Sequence, residues 1–156
     1  MPLPVGSQAP DFTIPDHNKK SVSLDSLLKN GPLVLFFYPR DHSAGCTRQV
    51  CSFRDNYEYL LQRGVSVAGV SKDSAEKHTT FINRYDLSYP LLVDRRGVVH
   101  QQYGCLGLFG TIPRRVTYLI DPDKTIRLTH EDNFRMNSHV QAVLDKLDMG
   151  KLNMKQ

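Results

Sequence analysis

Two near-continuous apolar runs dominate the chain. Leu33–Tyr38 (LVLFFY) lies between Pro32 and Pro39, and Val65–Val70 (VSVAGV) follows Gly64. Such runs, bounded by turn residues, predict strands buried on both faces. Leu91–Val93 predicts a third strand. Val116–Ile120 and Thr125–Thr129 flank the turn residues Asp121-Pro122-Asp123-Lys124 and predict a hairpin. Shorter strands are expected at Phe12–Ile14 and Ser21–Ser23, after a proline-rich lead-in over residues 1–12. Elsewhere the period changes to that of a helix. Asp25 is the expected cap of a short helix through Leu28 that ends at Asn30-Gly31, and Asp73 or Ser74 that of a helix to about Tyr85. Val98–Tyr103 predicts one further turn or two. Ser138–Leu147 places Val140, Val143, Leu144 and Leu147 on one face of a last helix.

Strands that alternate with helices and close on a hairpin predict an α/β protein. The right-handed crossover rule makes the Leu33 and Val65 strands parallel neighbours, while the hairpin adds antiparallel pairs. The expected architecture is a central mixed β-sheet flanked by helices, an order that a thioredoxin-like fold satisfies. A length of 156 residues suits one domain over residues 1–156.

Composition narrows the function classes. Apolar residues make up 40% and charged residues 23%, as in ordinary globular proteins. The net charge of +4 is scattered among acids with no lysine-rich tract, so nucleic acid is not an expected partner. The longest apolar run is far too short to span a bilayer, and no membrane association is expected. The six histidines are dispersed without paired Cys/His spacing, so neither a metal nor a cofactor is expected. His42, near Cys46, reads as a solvated turn residue, and the Asp94, Asp121 and Asp123 set as turn chemistry. Three cysteines are too few for a stapling framework. They suggest a reducing compartment. The start MPLPVGSQAPDF has no secretory signature, which points to the cytoplasm, or to the chloroplast if a transit peptide has been removed.

The helix predicted from Cys46 to Arg63 carries the most informative pattern. With about 100° per residue, Val50, Phe53, Tyr57, Leu60 and Leu61 fall within about 60° of Cys46, and Cys51 falls about 140° away. Cys46 thus sits on the buried stripe in the first turn, and Gly64 supplies a stop. First-turn amides are unpaired and carry partial positive charge, which favours a thiolate. A cysteine on an apolar stripe is also what an inert core residue looks like. The helix pattern alone leaves both readings open.

The stretch PRDHSAGCTRQVC (Pro39 to Cys51) resembles the active-site segment of the peroxiredoxins, in which a proline, a threonine or serine and the peroxidatic cysteine recur as PxxxSxxC. These positions are Pro39, Ser43 and Cys46. A second cysteine five residues on, Cys51, is similar to the bacterioferritin-comigratory or Q-type subfamily. APDF, FRD, GVSKDS, YPLLVD and RVTYLID extend the likeness over roughly residues 5–148, and LFGTIPRR resembles plant and cyanobacterial members. Two positions depart from the pattern. Ser43 replaces the commoner threonine and loses a methyl that stiffens χ1, and Ala44 stands where proline is common, which loosens the loop.

The resemblance implies a peroxidase acting on hydrogen peroxide and organic hydroperoxides. Cys46 would become a sulfenic acid and then a disulfide with Cys51, and thioredoxin or a similar dithiol reductant would restore it. It implies that Arg115 steadies sulfur and peroxide, that Ser43 bonds the hydroperoxide or caps the helix, and that Pro39 shields the sulfur. Arg114 is expected on the opposite face of its strand. A monomer is expected. On an intact helix, Cα atoms five residues apart are about 8.7 Å apart, beyond disulfide reach, so the first turns must unwind before Cys46 and Cys51 meet. Cys105, in the loop YGCLGLFG, is expected to be structural, and Leu106, Leu108 and Phe109 either form a docking surface or pack inward. The rival reading is a thiol–disulfide oxidoreductase without peroxidase activity, against which the lack of a C-x-x-C motif counts.

Overall fold

Both apolar runs become inner strands of one mixed sheet. In the computed structural model, which describes residues 1–107, 110 and 112–154, the chain runs β1 (Thr13–Pro15), β2 (Ser21–Ser23), α1 (Leu24–Leu27), β3 (Leu33–Phe37), α2 (Ala44–Gln62), β4 (Ser66–Ser71), α3 (Ala75–Tyr85), β5 (Leu91–Val93), α4 (Val98–Gln102), β6 (Val116–Ile120), β7 (Ile126–Glu131) and α5 (Ser138–Met154). The sheet order is β5-β4-β3-β6-β7, and β1 pairs with β2 in a separate two-stranded ribbon. β3 is parallel to β4 and antiparallel to β6, so the sheet is mixed as expected.

Every residue of β3, β5 and β6 is buried. Alternation along β3 sends Leu33, Leu35 and Phe37 to one face, where they meet Leu24, Val99 and Tyr103. Val34, Phe36 and Tyr38 point to the other face, against Val50, Phe53 and Leu60 of α2, Phe81 of α3 and Val143 of α5. A sheet covered on both faces explains why its inner strands read as continuous apolar runs.

Local chemistry moves several boundaries. The cap of α1 is Ser23, not Asp25: its hydroxyl accepts from the Ser26 amide while the Ser26 hydroxyl accepts from the Ser23 amide. This reciprocal box satisfies two free amides, whereas Asp25 in the first turn faces the helix dipole and pairs with Lys124 at 2.9 Å. Ser74 caps α3. Gly64 ends α2 at φ +77°, a left-handed conformation that glycine adopts without penalty. Leu61 departs from the predicted stripe: it is 48% exposed, at the stripe's edge in the last turn. α5 runs seven residues past the predicted end at Leu147. No helix among the described residues is long and apolar enough to cross a membrane. Of the loop residues expected either to form a docking surface or to pack inward, Leu106 is half-buried and bridges Pro113, and Leu108 and Phe109 lie outside the described residues.

Candidate active site

The β3–β6 register brings two distant parts of the sequence together. Phe37 is paired with Val116, so the next step of the ladder sets Tyr38 beside Arg115. Side chains alternate along β6: Val116, Tyr118 and Ile120 join the core of one face, and Leu119 joins the core that α2 covers. Arg115 has the parity of Leu119 and therefore points toward α2. Arg114 turns away and pairs with Glu131 at 2.9 Å, as the alternation predicts.

Cys46 is buried in the first turn of α2. The Arg115 guanidinium donates from Nη1 to Cys46 Sγ at 3.0 Å and to Gln49 Oε1 at 3.0 Å. Ser43 is the helix cap: its Oγ accepts from the Cys46 amide at 3.3 Å and donates to the Arg40 carbonyl at 3.4 Å. Pro39 is half-buried at the start of the loop that leads to Ser43. Gly45 leaves room for the arginine, since a Cβ there would come within 2.8 Å of Arg115 Nη2.

Sequence reasoning missed Gln49. It lies three residues after Cys46 on the same helix edge, and its side chain is fully buried. A polar residue on an otherwise apolar stripe was the available signal. Its Oε1 is the neutral acceptor that orients Arg115, and its Nε2 is buried without a partner.

The backbone of Arg115 is held from both sides. Its amide donates to Asn133 Oδ1 at 3.0 Å, and its carbonyl accepts from the Asp132 amide at 3.3 Å. Asp132 is fixed in turn, because its carboxylate accepts from the amides of Phe134 and Arg135 and from the Ser138 hydroxyl. Those donors hold its carboxyl well below the usual carboxylate range. His139 lies between Thr117 Oγ1 and the Asp132 carbonyl, both at 2.8 Å, and burial pulls its pKa down to about 4. A neutral ring suits this position: Nε2–H donates to the carbonyl and Nδ1 accepts from the hydroxyl.

The loop between β3 and α2 is anchored at Asp41. Its Oδ1 accepts from Tyr38 at 2.6 Å, its Oδ2 lies 2.6 Å from His78 Nδ1, and its amide donates to Asp73 Oδ2 at 2.7 Å. Burial, with Asp41 alongside, pushes the Tyr38 hydroxyl well above its ordinary pKa, so it stays a donor. His42 follows with a left-handed φ of +65°, exposed, its ring 4.8 Å from Phe81.

The other thiols occupy different surroundings. Cys51 is half-buried and borders a cavity of about 420 Å³ lined also by Arg48, Asp55, Asn137 and Val140. Burial raises its pKa above the ordinary thiol value. Cys105 is fully buried, donates to the Tyr103 carbonyl at 3.4 Å, and is pushed far above the thiol range by desolvation, which fits an inert residue. All three cysteines are free. Among the described residues no cluster of His, Cys, Asp or Glu could hold a metal ion. The arrangement joins Cys46, Ser43 and Arg115 by direct hydrogen bonds, with Cys51 one helical turn and a half away.

Residues 5–129 match the AhpC/TSA family. Peroxiredoxin Q, chloroplastic, of Sedum lineare is 40% identical over 143 residues, covering 91% of this chain and 76% of that protein. Its counterpart in Arabidopsis thaliana is 41% identical over 140 residues, and the chain spans only 64% of that relative's length. Among solved structures, peroxidoxin BcpB from Mycobacterium tuberculosis superposes with a TM-score of 0.87 at 35% identity, over 93% of this chain and 96% of the other. The chain belongs to the AhpC/TSA family, and its relatives within that family are peroxiredoxins of the Q type.

Proposed function

We propose that the protein is a thiol peroxidase, and that Cys46 reduces hydrogen peroxide and organic hydroperoxides. The thiolate attacks the terminal peroxide oxygen, the O–O bond breaks, and the other oxygen leaves as hydroxide or alkoxide and takes up a proton. Cys46 is left as a sulfenic acid. The Cys51 thiol then displaces water from that sulfur to form a Cys46–Cys51 disulfide. A dithiol reductant, thioredoxin in this reading, returns both sulfurs to thiols while forming its own disulfide.

The observation that carries the proposal is the 3.0 Å contact from Arg115 Nη1 to a buried sulfur at a helix N-terminus. Negative charge starts on sulfur and moves to the departing oxygen, and a planar guanidinium serves both ends with different N–H groups. Ser43 holds the first turn closed through its hydroxyl, which accepts from the Cys46 amide, and in this reading the same hydroxyl bonds the hydroperoxide. Pro39, with no amide to donate, borders the site and limits water access. The protein works as a monomer.

The test is a pair of variants. Cys46→Ser abolishes peroxide consumption. Cys51→Ser consumes about one equivalent of peroxide per chain and fails to turn over with thioredoxin. Undiminished consumption by Cys46→Ser refutes the proposal. Normal turnover by Cys51→Ser moves the resolving role to another thiol.

A further inference from the structure

Between the two cysteines of α2 lies a contact that the peroxidase reading does not use. Tyr89, fully buried in the turn before β5, donates its hydroxyl to the Val50 carbonyl at 2.6 Å. Val50 is four residues after Cys46 and one before Cys51. A carbonyl inside a helix already accepts from the amide four residues on, here Arg54, so a second donor is not needed to satisfy it. Burial pushes the Tyr89 hydroxyl well above its ordinary pKa and keeps it a donor.

Neighbouring contacts tie α2 to the sheet from Val50 onward by packing and the Tyr89 bond, whereas upstream of it Cys46 and Gln49 are bonded through the Arg115 guanidinium. Val50 and Phe53 are fully buried. Phe53 stacks on Phe36 with ring centroids 4.5 Å apart, and Tyr89 meets the same Phe36 ring edge-on at 5.9 Å. The Ser52 hydroxyl donates to the Gln49 carbonyl at 2.7 Å and the Asn56 amide to the Ser52 carbonyl at 2.8 Å. These are local bonds within the helix, whereas the bond from Tyr89 ties it to the β5 side of the sheet. Upstream, Asp41 is held by Tyr38, His78 and Asp73. Between these two anchors run residues 42–49.

We infer that Tyr89 is a positioning residue for the resolving step: its hydroxyl makes Val50 the fixed end of the segment that unwinds, so that Cys51 stays in place while Cys46 travels to it. This inference rests on the proposed peroxidase function. Chain length allows the movement. The two Cα atoms must close from about 8.7 Å to less than about 7 Å, and residues 46–49, at about 3.8 Å per step, reach that once their helical turns open.

Tyr89→Phe tests this, since it keeps the ring on Phe36 and leaves Val50 its helical bond. The chain has no tryptophan. The reaction with hydrogen peroxide is therefore stopped with acid at set times and read by mass spectrometry. The peroxide-dependent oxidation of Cys46 is expected within twofold of the unmodified protein. The peroxide-independent formation of the Cys46–Cys51 disulfide is expected about fivefold slower, the worth of one hydrogen bond lost from the bonded state. Cys46 sulfinic acid then accumulates at lower peroxide. A disulfide phase that is unchanged or faster overturns the inference, as does equal slowing of both phases. If Cys46 of the unmodified protein is not oxidised at all, the proposed function falls and takes this inference with it.

Discussion

Arg115 Nη1 lies 3.0 Å from Cys46 Sγ although the two residues are 69 positions apart in the chain. The pairing of Phe37 with Val116 produces this approach, because it sets the end of β6 beside the loop that feeds α2. Replacing Arg115 with Gln keeps polarity, shortens the side chain and removes the charge. Losing one aimed donor in a water-poor site lowers rates by about 10²–10³-fold. The second-order rate constant of Cys46 with peroxide, measured by competition against a reference thiol protein, is expected to fall by that amount. A fall of less than threefold would show that the guanidinium is structural.

Gln49 gives Arg115 an acceptor without giving it a counter-ion. Gln49→Glu keeps an acceptor for the guanidinium and places a carboxylate beside the sulfur that attacks as an anion in the proposed mechanism. Like charges at this range disfavour each other strongly where water is scarce. Capture of peroxide is expected to slow by about ten- to a hundredfold, with the far-ultraviolet circular dichroism unchanged.

Gly45 separates site geometry from helix stability. In the body of a helix alanine is favoured over glycine by about 1 kcal/mol. A Cβ at this position would press within 2.8 Å of Arg115 Nη2 and lie 3.5 Å from Met136 Sδ. Gly45→Ala is therefore expected to hold or raise the urea midpoint while lowering the peroxide rate constant by at least tenfold. A variant that is both as stable and as fast as the parent would mean that the guanidinium shifts without consequence.

These sites differ in how far the sequence disclosed them. The orientations of Cys46 and Cys51 follow from helical angle and that of Arg114 from strand parity, because periodicity reports which way a side chain points. Cys46, Ser43 and Arg115 were singled out by resemblance; the helix cap joins Ser43 to Cys46, and the sheet register brings Arg115 to the sulfur. Gln49 was overlooked, since one polar residue on an apolar stripe has many explanations until its partner is known. The Tyr38–Asp41–His78 group and the Tyr89–Val50 bond were invisible for a different reason. Asp41 reaches Asp73 over 32 positions and His78 over 37, and Tyr89 reaches Val50 over 39, through tertiary contacts that have no periodic signature. The cap of α1 was misplaced because Ser23 and Asp25 are both good cap residues, and only the reciprocal bond with Ser26 decides between them.

The bonds that His139 makes to Thr117 and Asp132 couple stability to pH. Its pKa is about 4 in the folded protein against about 6.5 for a free ring, so the unfolded chain binds the proton more readily. The stabilisation is complete above about pH 6.5, declines as pH falls from there to about 4, and then levels off. The difference corresponds to roughly 3 kcal/mol. Urea unfolding at pH 7, 5.5 and 4 is expected to show this slope. His139→Asn is expected to be less stable at pH 7 and to lose most of the slope. An unaltered slope in that variant would assign the pH dependence to other groups.

In the proposed mechanism Cys51 attacks as a thiolate, yet burial holds its pKa above the ordinary thiol value, so the reduced protein keeps it protonated near neutrality. On that mechanism the first turns of α2 unwind up to Val50, which opens the upstream side of Cys51 to solvent without moving it and returns it toward an ordinary thiol, still mostly protonated below about pH 8. Either way its thiolate fraction grows about tenfold per pH unit across pH 6–8. Disulfide formation after a single pulse of peroxide is expected to accelerate with that slope, and Cys46 sulfinic acid to be most abundant at the acid end. If helix opening itself limits the step, the rate becomes flat in pH. Tyr89→Phe then slows it with no change in slope, whereas limitation by thiolate attack leaves the slope in both proteins and lowers only its intercept.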